Sequence, residues 1–160
     1  MEISSFHAEI FQMFDRKWAL LTTGTPEDFN TMAISWGGMG TLWGRPVVTV
    51  YIRPNRHTFG YMNASDFFTV SFYPEQFRKD LGVLRSLSGR DGDKVARISL
   101  IPAAVPNGVS FRQAECTLVC RKMYAQDMDA ATIPDEVMRE CYAAEPVHRM
   151  YIGEVMEVLV

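Results

Sequence analysis

Apolar residues along this chain fall mostly in short alternating runs bounded by turn formers, the pattern of a strand-rich domain with few helices. Residues 17–23 (KWALLTT) read as a strand stopped by Gly24, Thr25 and Pro26. A second strand is expected over 30–36, with Gly37, Gly38 and Gly40 turning the chain. A third is expected over 46–53, rich in the Val, Thr, Tyr and Ile that a pleated surface favours. Pro54 then breaks the ladder, and Asn55 is placed to cap a short helix over 56–64. Strands follow over 67–73 (FFTVSFY), within 111–128, and over the closing segment 148–160. Helical spacing is confined to 6–14 (Phe6, Ile10, Met13, Phe14), 75–87 (Phe77, Leu81, Leu84), 94–100 and 135–143. Strands outnumber helices, and sequence neighbours look hairpin-linked. The expected architecture is a closed or partly closed antiparallel barrel with helices packed outside, which also removes exposed strand edges.

Composition narrows this little. The 160 residues show no internal repeat or linker, so residues 1–160 are taken as one domain, long enough to bury a core without staples. A net charge of -3, with acids and bases interspersed, argues against a broad nucleic-acid or membrane footprint, while a local basic pocket remains open. Cys116, Cys120 and Cys141 give neither a disulfide framework nor a zinc pattern. If Cys116 and Cys120 share a strand face, four steps of rise separate them by roughly 13 Å, too far to bond. The opening MEISSFHAEIF lacks the features of a signal peptide, and no apolar run reaches membrane-spanning length. A cytoplasmic location is expected.

Four constellations carry possible chemistry. The glycine-rich GGMGTLWG is not a dinucleotide fingerprint: Trp43 stands where GxGxxG needs its third glycine, and a strand follows instead of a helix. Arg53, Asn55, Arg56 and Thr58 cluster where a strand ends and a helix begins, a place suited to an anion; spacing alone leaves this equal with a surface salt-bridge patch. Along 30–36, Asn30, Met32, Ile34 and Trp36 share one face, and Thr31, Ala33 and Ser35 the other. The latter face is small and polar enough to lie against a flat ring, but on the residues alone core packing with a half-exposed face is the favoured reading. Ser88, Gly89, Arg90 and Lys94 offer donors to a phosphate, or form a solvated loop. His7, His57 and His148 are scattered, so no metal site is expected, and there is no GxSxG elbow.

Taken together, WALLTTG, FNTMAISWGGMGTLWGRPVVTVYIRPNRHT, SGRDGDK and HRMYIGEV resemble the flavin reductase-like family, in particular its flavoredoxin-like branch, from about Trp18 to Val155. The resemblance implies a mainly β fold, a six-stranded antiparallel Greek-key split β-barrel with a few peripheral helices. It also implies a homodimer with FMN near the dimer interface. Carried over residue by residue, Asn30, Met32, Ala33, Ile34, Ser35 and Trp36 would line the flavin. Arg53, Asn55, Arg56 and Thr58 would hold the phosphate and ribityl chain, and Ser88, Gly89 and Lys94 would close over the cofactor. Two departures stand out: Ala33 where the family usually has threonine, and His57 where it often has tyrosine. One lost hydrogen bond is worth about 0.5–1.5 kcal/mol, so FMN binding should survive.

The expected function is an FMN oxidoreductase of the flavin reductase type, in which NAD(P)H passes hydride to the flavin. No acid, base or nucleophile of the protein is required for that transfer. The alternative is an electron carrier exchanging with protein donors or acceptors. A further alternative, from another class, is a ligand-binding barrel that has lost its cofactor.

Overall fold

The computed structural model describes residues 1–160, the side chain of Asp91 excepted. In chain order its elements are β1 (Ala19–Thr25), β2 (Asp28–Ile34), β3 (Gly37–Leu42), β4 (Arg45–Ile52), α1 (His57–Ala64), β5 (Phe67–Phe72), α2 (Arg78–Ser86), β6 (Pro102–Val105), β7 (Gly108–Phe111), β8 (Cys116–Asp127), α3 (Asp135–Cys141) and β9 (Arg149–Leu159). Seven strands form one antiparallel sheet in the order β2-β1-β5-β8-β9-β4-β3, while β6 and β7 pair separately as a hairpin. The sheet curls around one core. Leu21, Ile34, Val48, Val50, Phe68, Val70, Leu118, Tyr151 and Val155, drawn from six of its strands, bury together. β2 and β3 end the sheet without pairing to each other, so the barrel is split there. A second apolar cluster, with Leu20, Tyr73, Leu81 and Leu84 at its centre and Phe29 and Ala33 packed against it, seats α2 on the outer face of β2 and β1.

The alternating pattern located the strands to within a few residues, with three differences of substance. The glycines expected to turn the chain instead form β3, whose turn is made by Trp43 and Gly44. Glycine leaves no side-chain period to read, yet it is required at Gly37, where a Cβ would stand 2.5 Å from the ring of buried Phe14. Counting β3 makes seven sheet strands where six were implied. The helix expected over 6–14 is replaced by a 3-10 turn at Ile3–Ser5 and a π-helical turn at Gln12–Arg16. Phe6, Ile10 and Met13 still pack on the core, so the apolar spacing reported burial and not helix. The β6–β7 hairpin, which begins at a proline, lies almost wholly outside the strands that the pattern predicts. In addition, α1 starts at His57 with no side-chain cap, so Asn55 does not cap it.

Cys116 and Cys120 lie four residues apart on β8, both buried with their thiols free; Cys141 is also free and half-buried. Burial pushes the Cys116 thiol up to about 11 and that of Cys120 higher. Both behave as small hydrophobes.

Candidate functional site

The end of β2, the end of β4, the start of α1, the end of α2 with its following loop, and the start of β9 converge on one cleft of about 150 Å³. β2 contributes Asn30, Met32, Ala33 and Ile34, and the chain leaving it contributes Ser35 and Trp36. Tyr51 and Arg53 come from β4 and its exit, and Arg56, His57 and Thr58 from the entry to α1. Leu84, Arg85, Leu87, Ser88, Gly89 and Lys94 form the opposite wall, and His148 one end.

The floor is a buried polar joint. The Asn30 side-chain amide donates to the Thr58 hydroxyl at 2.6 Å, both groups being almost inaccessible. Gly89 closes over them: a Cβ there would sit 2.4 Å from Asn30 Oδ1 and 2.5 Å from the His57 ring. Only glycine lets this loop lie so close to the polar joint. Beside it Lys94 is 94% buried, being 6% exposed. Its amine is pulled down to about 8, first by burial and then by the neighbouring Arg56 cation.

The far end is aromatic and tied down by hydrogen bonds. Tyr142 Oη and His148 Nδ1 lie 2.6 Å apart, and the His148 ring packs against Trp36 at 5.3 Å and Tyr51 at 6.4 Å between centroids. Burial, followed by Arg53 and Arg56, holds the imidazole down at about 4, so it is neutral near pH 7. Arg53 donates from Nη2 to the Cys141 carbonyl at 3.1 Å and lies 5.7 Å from the Tyr142 ring centroid. Its buried Nε finds no partner among the described residues. A buried donor without a partner is costly and suits a site that accepts an outside acceptor.

The electrostatics are one-sided. Arg53, Arg56, Arg85 and Lys94 line the cleft, and no carboxylate does. Among the described residues the ion pairs are Arg45–Glu154, Arg121–Glu154 and Arg149–Asp127, none of which uses these four cations. With no ion-pair partner for them among the described residues, these positive charges repel one another, and an anion in the cleft would relieve that repulsion. Trp36, 46% exposed, gives the same cleft an open aromatic edge.

Of the residues singled out in the sequence, Asn30, Met32, Ala33, Ile34, Ser35, Trp36, Arg53, Arg56, Thr58, Ser88, Gly89 and Lys94 all line this cleft. Asn55 does not: its amide donates to Glu145 Oε2 at 2.8 Å, and its carbonyl accepts from Arg90 at 2.7 Å. Thr31, grouped by alternation with Ala33 and Ser35, shares a 2.9 Å hydrogen bond with Thr22 and lies outside the cleft. Tyr51, Leu84, Arg85, Leu87 and His148 line the cleft without having been singled out. His148 lies in HRMYIGEV and Tyr51 in VYIRP, segments already marked as distinctive. Arg85 carried no sequence signal beyond being a cation on a helix.

Residues 11–160 match the sequence model of a family described as "Flavin reductase like domain". No curated protein matches the sequence. Solved structures agree on the fold. Flavoredoxin from Methanosarcina acetivorans is 16% identical, with a TM-score of 0.69 over 89% of this chain and 67% of that one. The FMN-binding protein from Thermus thermophilus, solved with bound 1-cyclohex-2-enone, is 20% identical, with a TM-score of 0.71 over 97% and 79%. The Streptomyces globisporus NADH:FAD oxidoreductase, solved with NAD and FAD fragments, is 14% identical, with a TM-score of 0.67 over 89% and 73%.

Proposed function

The chain belongs to the flavin reductase-like family, and from that premise we propose that it binds FMN and acts as an oxidoreductase taking hydride from NAD(P)H. The observation that carries the reading is the charge of the cleft: Arg56 and Lys94 stand by the Asn30–Thr58 joint and Arg53 by the His148 end, with no carboxylate in the lining. The residues present fit a phosphorylated flat ring. Arg56, Lys94, Thr58 and the backbone at Ser88–Gly89 would hold the phosphate, and Arg53 has an unused buried donor to offer. Met32, Ala33, Ser35 and Trp36 would lie along the ring, with backbone and hydroxyl groups able to meet its polar edge. Asn55, engaged with Glu145, would act on the cleft only by steadying the loop beside it.

When bound, FMN supplies a ring that accepts and releases electrons. The chain supplies charge to bind it, a fixed wall to orient it, and an open side beside Trp36 for a second substrate. Among its residues, His148 is held neutral by burial beside two arginines, and its ring is fixed by Tyr142. The reading includes a homodimer and a cytoplasmic location. The exposed Trp43 packed against Tyr124, with Met156 also exposed, supports an interface; the three free thiols support a reducing compartment.

The test is the visible spectrum of protein mixed with FMN and freed of excess, followed by anaerobic addition of NADH and NADPH. Retained colour that bleaches with either nucleotide is expected. A colourless protein overturns the cofactor and leaves a ligand-binding barrel. Retained colour that neither nucleotide bleaches replaces the reductase with an electron carrier.

A further inference from the structure

We propose that Arg85 forms a second anion site at the other end of the cleft, one that receives the diphosphate of the nicotinamide dinucleotide. The proposal rests on the flavin reading of the cleft for the identity of its ligand. The geometry starts at Trp18, which sits at φ 66, a left-handed conformation that bulky residues rarely adopt. β1 begins directly after it, and the register pairs Ala19 with Ile34, so Trp18 stands level with Ser35 at the exit of β2. The indole is thereby turned toward α2. There two guanidiniums spaced seven residues apart meet it, Arg78 at 3.6 Å and Arg85 at 4.5 Å from the ring centroid.

The two arginines differ in what they can reach. Arg78 donates to the Arg16 carbonyl and does not line the cleft. Arg85 lines it, is exposed, and has no carboxylate partner among the described residues. Stacking on an aromatic face fixes the plane of a guanidinium and leaves its N–H edge free for phosphoryl oxygens. Arg85 is therefore a pre-oriented donor at the cleft mouth.

Distance separates this site from the first. Asn30 marks the Lys94 end, and Ser35 lies five strand steps away, roughly 17 Å. One phosphate cannot serve both ends. With the FMN phosphate at the Asn30–Thr58 joint, Arg85 stands beside the ring end, outside the face where a nicotinamide must stack to deliver hydride. The anion nearest that face on the second substrate is its diphosphate. The chain has no glycine-rich dinucleotide loop, so a single stacked arginine would account for how the diphosphate is held.

The experiment is a calorimetric titration of ADP-ribose, which carries the diphosphate without the nicotinamide, into protein with FMN in excess. Arg85→Ala should weaken ADP-ribose about tenfold, the scale of one charge-assisted hydrogen bond. Arg85→Lys, which keeps the charge without the fork, should fall between, and Arg78→Ala should bind like the original chain. The FMN Kd should shift far less than the ADP-ribose Kd in the Arg85 variants and stay level in Arg78→Ala. In turnover, kcat/KM for NADH should fall about tenfold in Arg85→Ala, while that for 1-benzyl-1,4-dihydronicotinamide, which has no diphosphate, stays level. Equal ADP-ribose binding with and without Arg85, or none to the original chain, overturns the proposal even if NADH reduces the flavin. Arg85-dependent ADP-ribose binding without NADH oxidation keeps the anion site and overturns the reductase reading instead.

Discussion

Two hollows share one wall in this molecule, and their charges are opposite. The cleft described above takes up about 150 Å³ and is lined by four cations and no acid. The neighbouring cavity takes up about 290 Å³ and is lined by Glu27, Asp28 and Asp93, with Lys94 as its one basic side chain besides His57. Asn30, His57, Gly89 and Lys94 belong to both linings. Both hollows have room for a ligand, but only the first has the charge for an anion, so charge and not room separates them. Lys94 stands between the two, and its low amine basicity follows burial and Arg56, with no acid from the cavity offsetting them.

Closing the wall should have the largest effect. Gly89→Ala places a Cβ 2.4 Å from Asn30 Oδ1 and 2.5 Å from His57, so the loop must lift or the Asn30–Thr58 joint must break. Overpacking of this kind costs about 1–3 kcal/mol, so FMN affinity should fall by up to about 100-fold. Quenching of flavin fluorescence on titration reads this directly. An unchanged Kd would mean that the wall does not bound the flavin site.

Lys94→Met comes next and separates binding from stability. Loss of a charge-assisted contact, worth about 1.5–3 kcal/mol, should weaken FMN by about 10- to 100-fold. Riboflavin, which has no phosphate, should be little affected. The ligand-free protein should melt higher, because a buried cation facing Arg56 has been replaced by an apolar chain. FMN and riboflavin weakened alike would remove Lys94 from the phosphate end.

What could be read from the sequence followed the kind of signal each part carries. β4 and β9 were legible because they bury one face and that burial is written largely at period two, whereas β1, β5 and the first half of β8 are buried on both faces and were legible as short apolar and β-branched runs between turn formers. The pattern failed at β3, where glycines carry no period, and at the N-terminus, where Phe6, Ile10 and Met13 pack on the core although only a short π-helical turn forms there. The cleft was legible where its residues are consecutive, as along β2 and in the entry to α1, through resemblance to a family. Arg85 and Leu84 were not legible, because only the folding of α2 against β2 brings them there. The stacking of Arg85 on Trp18 joins residues 67 positions apart and depends on one left-handed backbone angle.

The pH response should split by sign. The Lys94 amine sits at about 8 in the folded chain against an ordinary 10.5. Between those values the unfolded chain binds the extra proton, so the ligand-free protein gains stability as pH rises from about 8 to 10.5. Phosphate binding needs the same proton, so FMN affinity should fall over that window as the protein grows more stable. His148 acts at the other end. Its folded value near 4 lies below the ordinary 6.5, so its stabilising contribution is complete above 6.5 and is lost as pH falls to about 4. Melting curves and FMN titrations across pH 4–10 check both, and an affinity that held steady above pH 8 would show that the Lys94 charge does not reach the phosphate.

The smallest effects should come from the acidic side of the wall, where Asp93 has two separable roles. Its carboxylate accepts from the backbone N–H groups of Val95 and Ala96 at 3.1 and 3.3 Å, capping the 3-10 turn Lys94–Arg97. It also lends the cavity a negative charge one residue from Lys94. Asp93→Ala loses both. The missing cap costs about 1 kcal/mol, a melting shift of about 2–4 °C in a chain of this size, and loosening of the turn that presents Lys94 should cost FMN a few-fold. Asp93→Asn keeps the cap and drops only the charge. Its melting temperature should match that of the original chain within a degree or so, since asparagine caps as well as aspartate. Its FMN affinity should rise about twofold, the scale left to a partly exposed charge after screening. If the asparagine variant lost affinity as the alanine variant does, the acidic rim would be part of the anion site, and the separation of the two hollows by charge would fail.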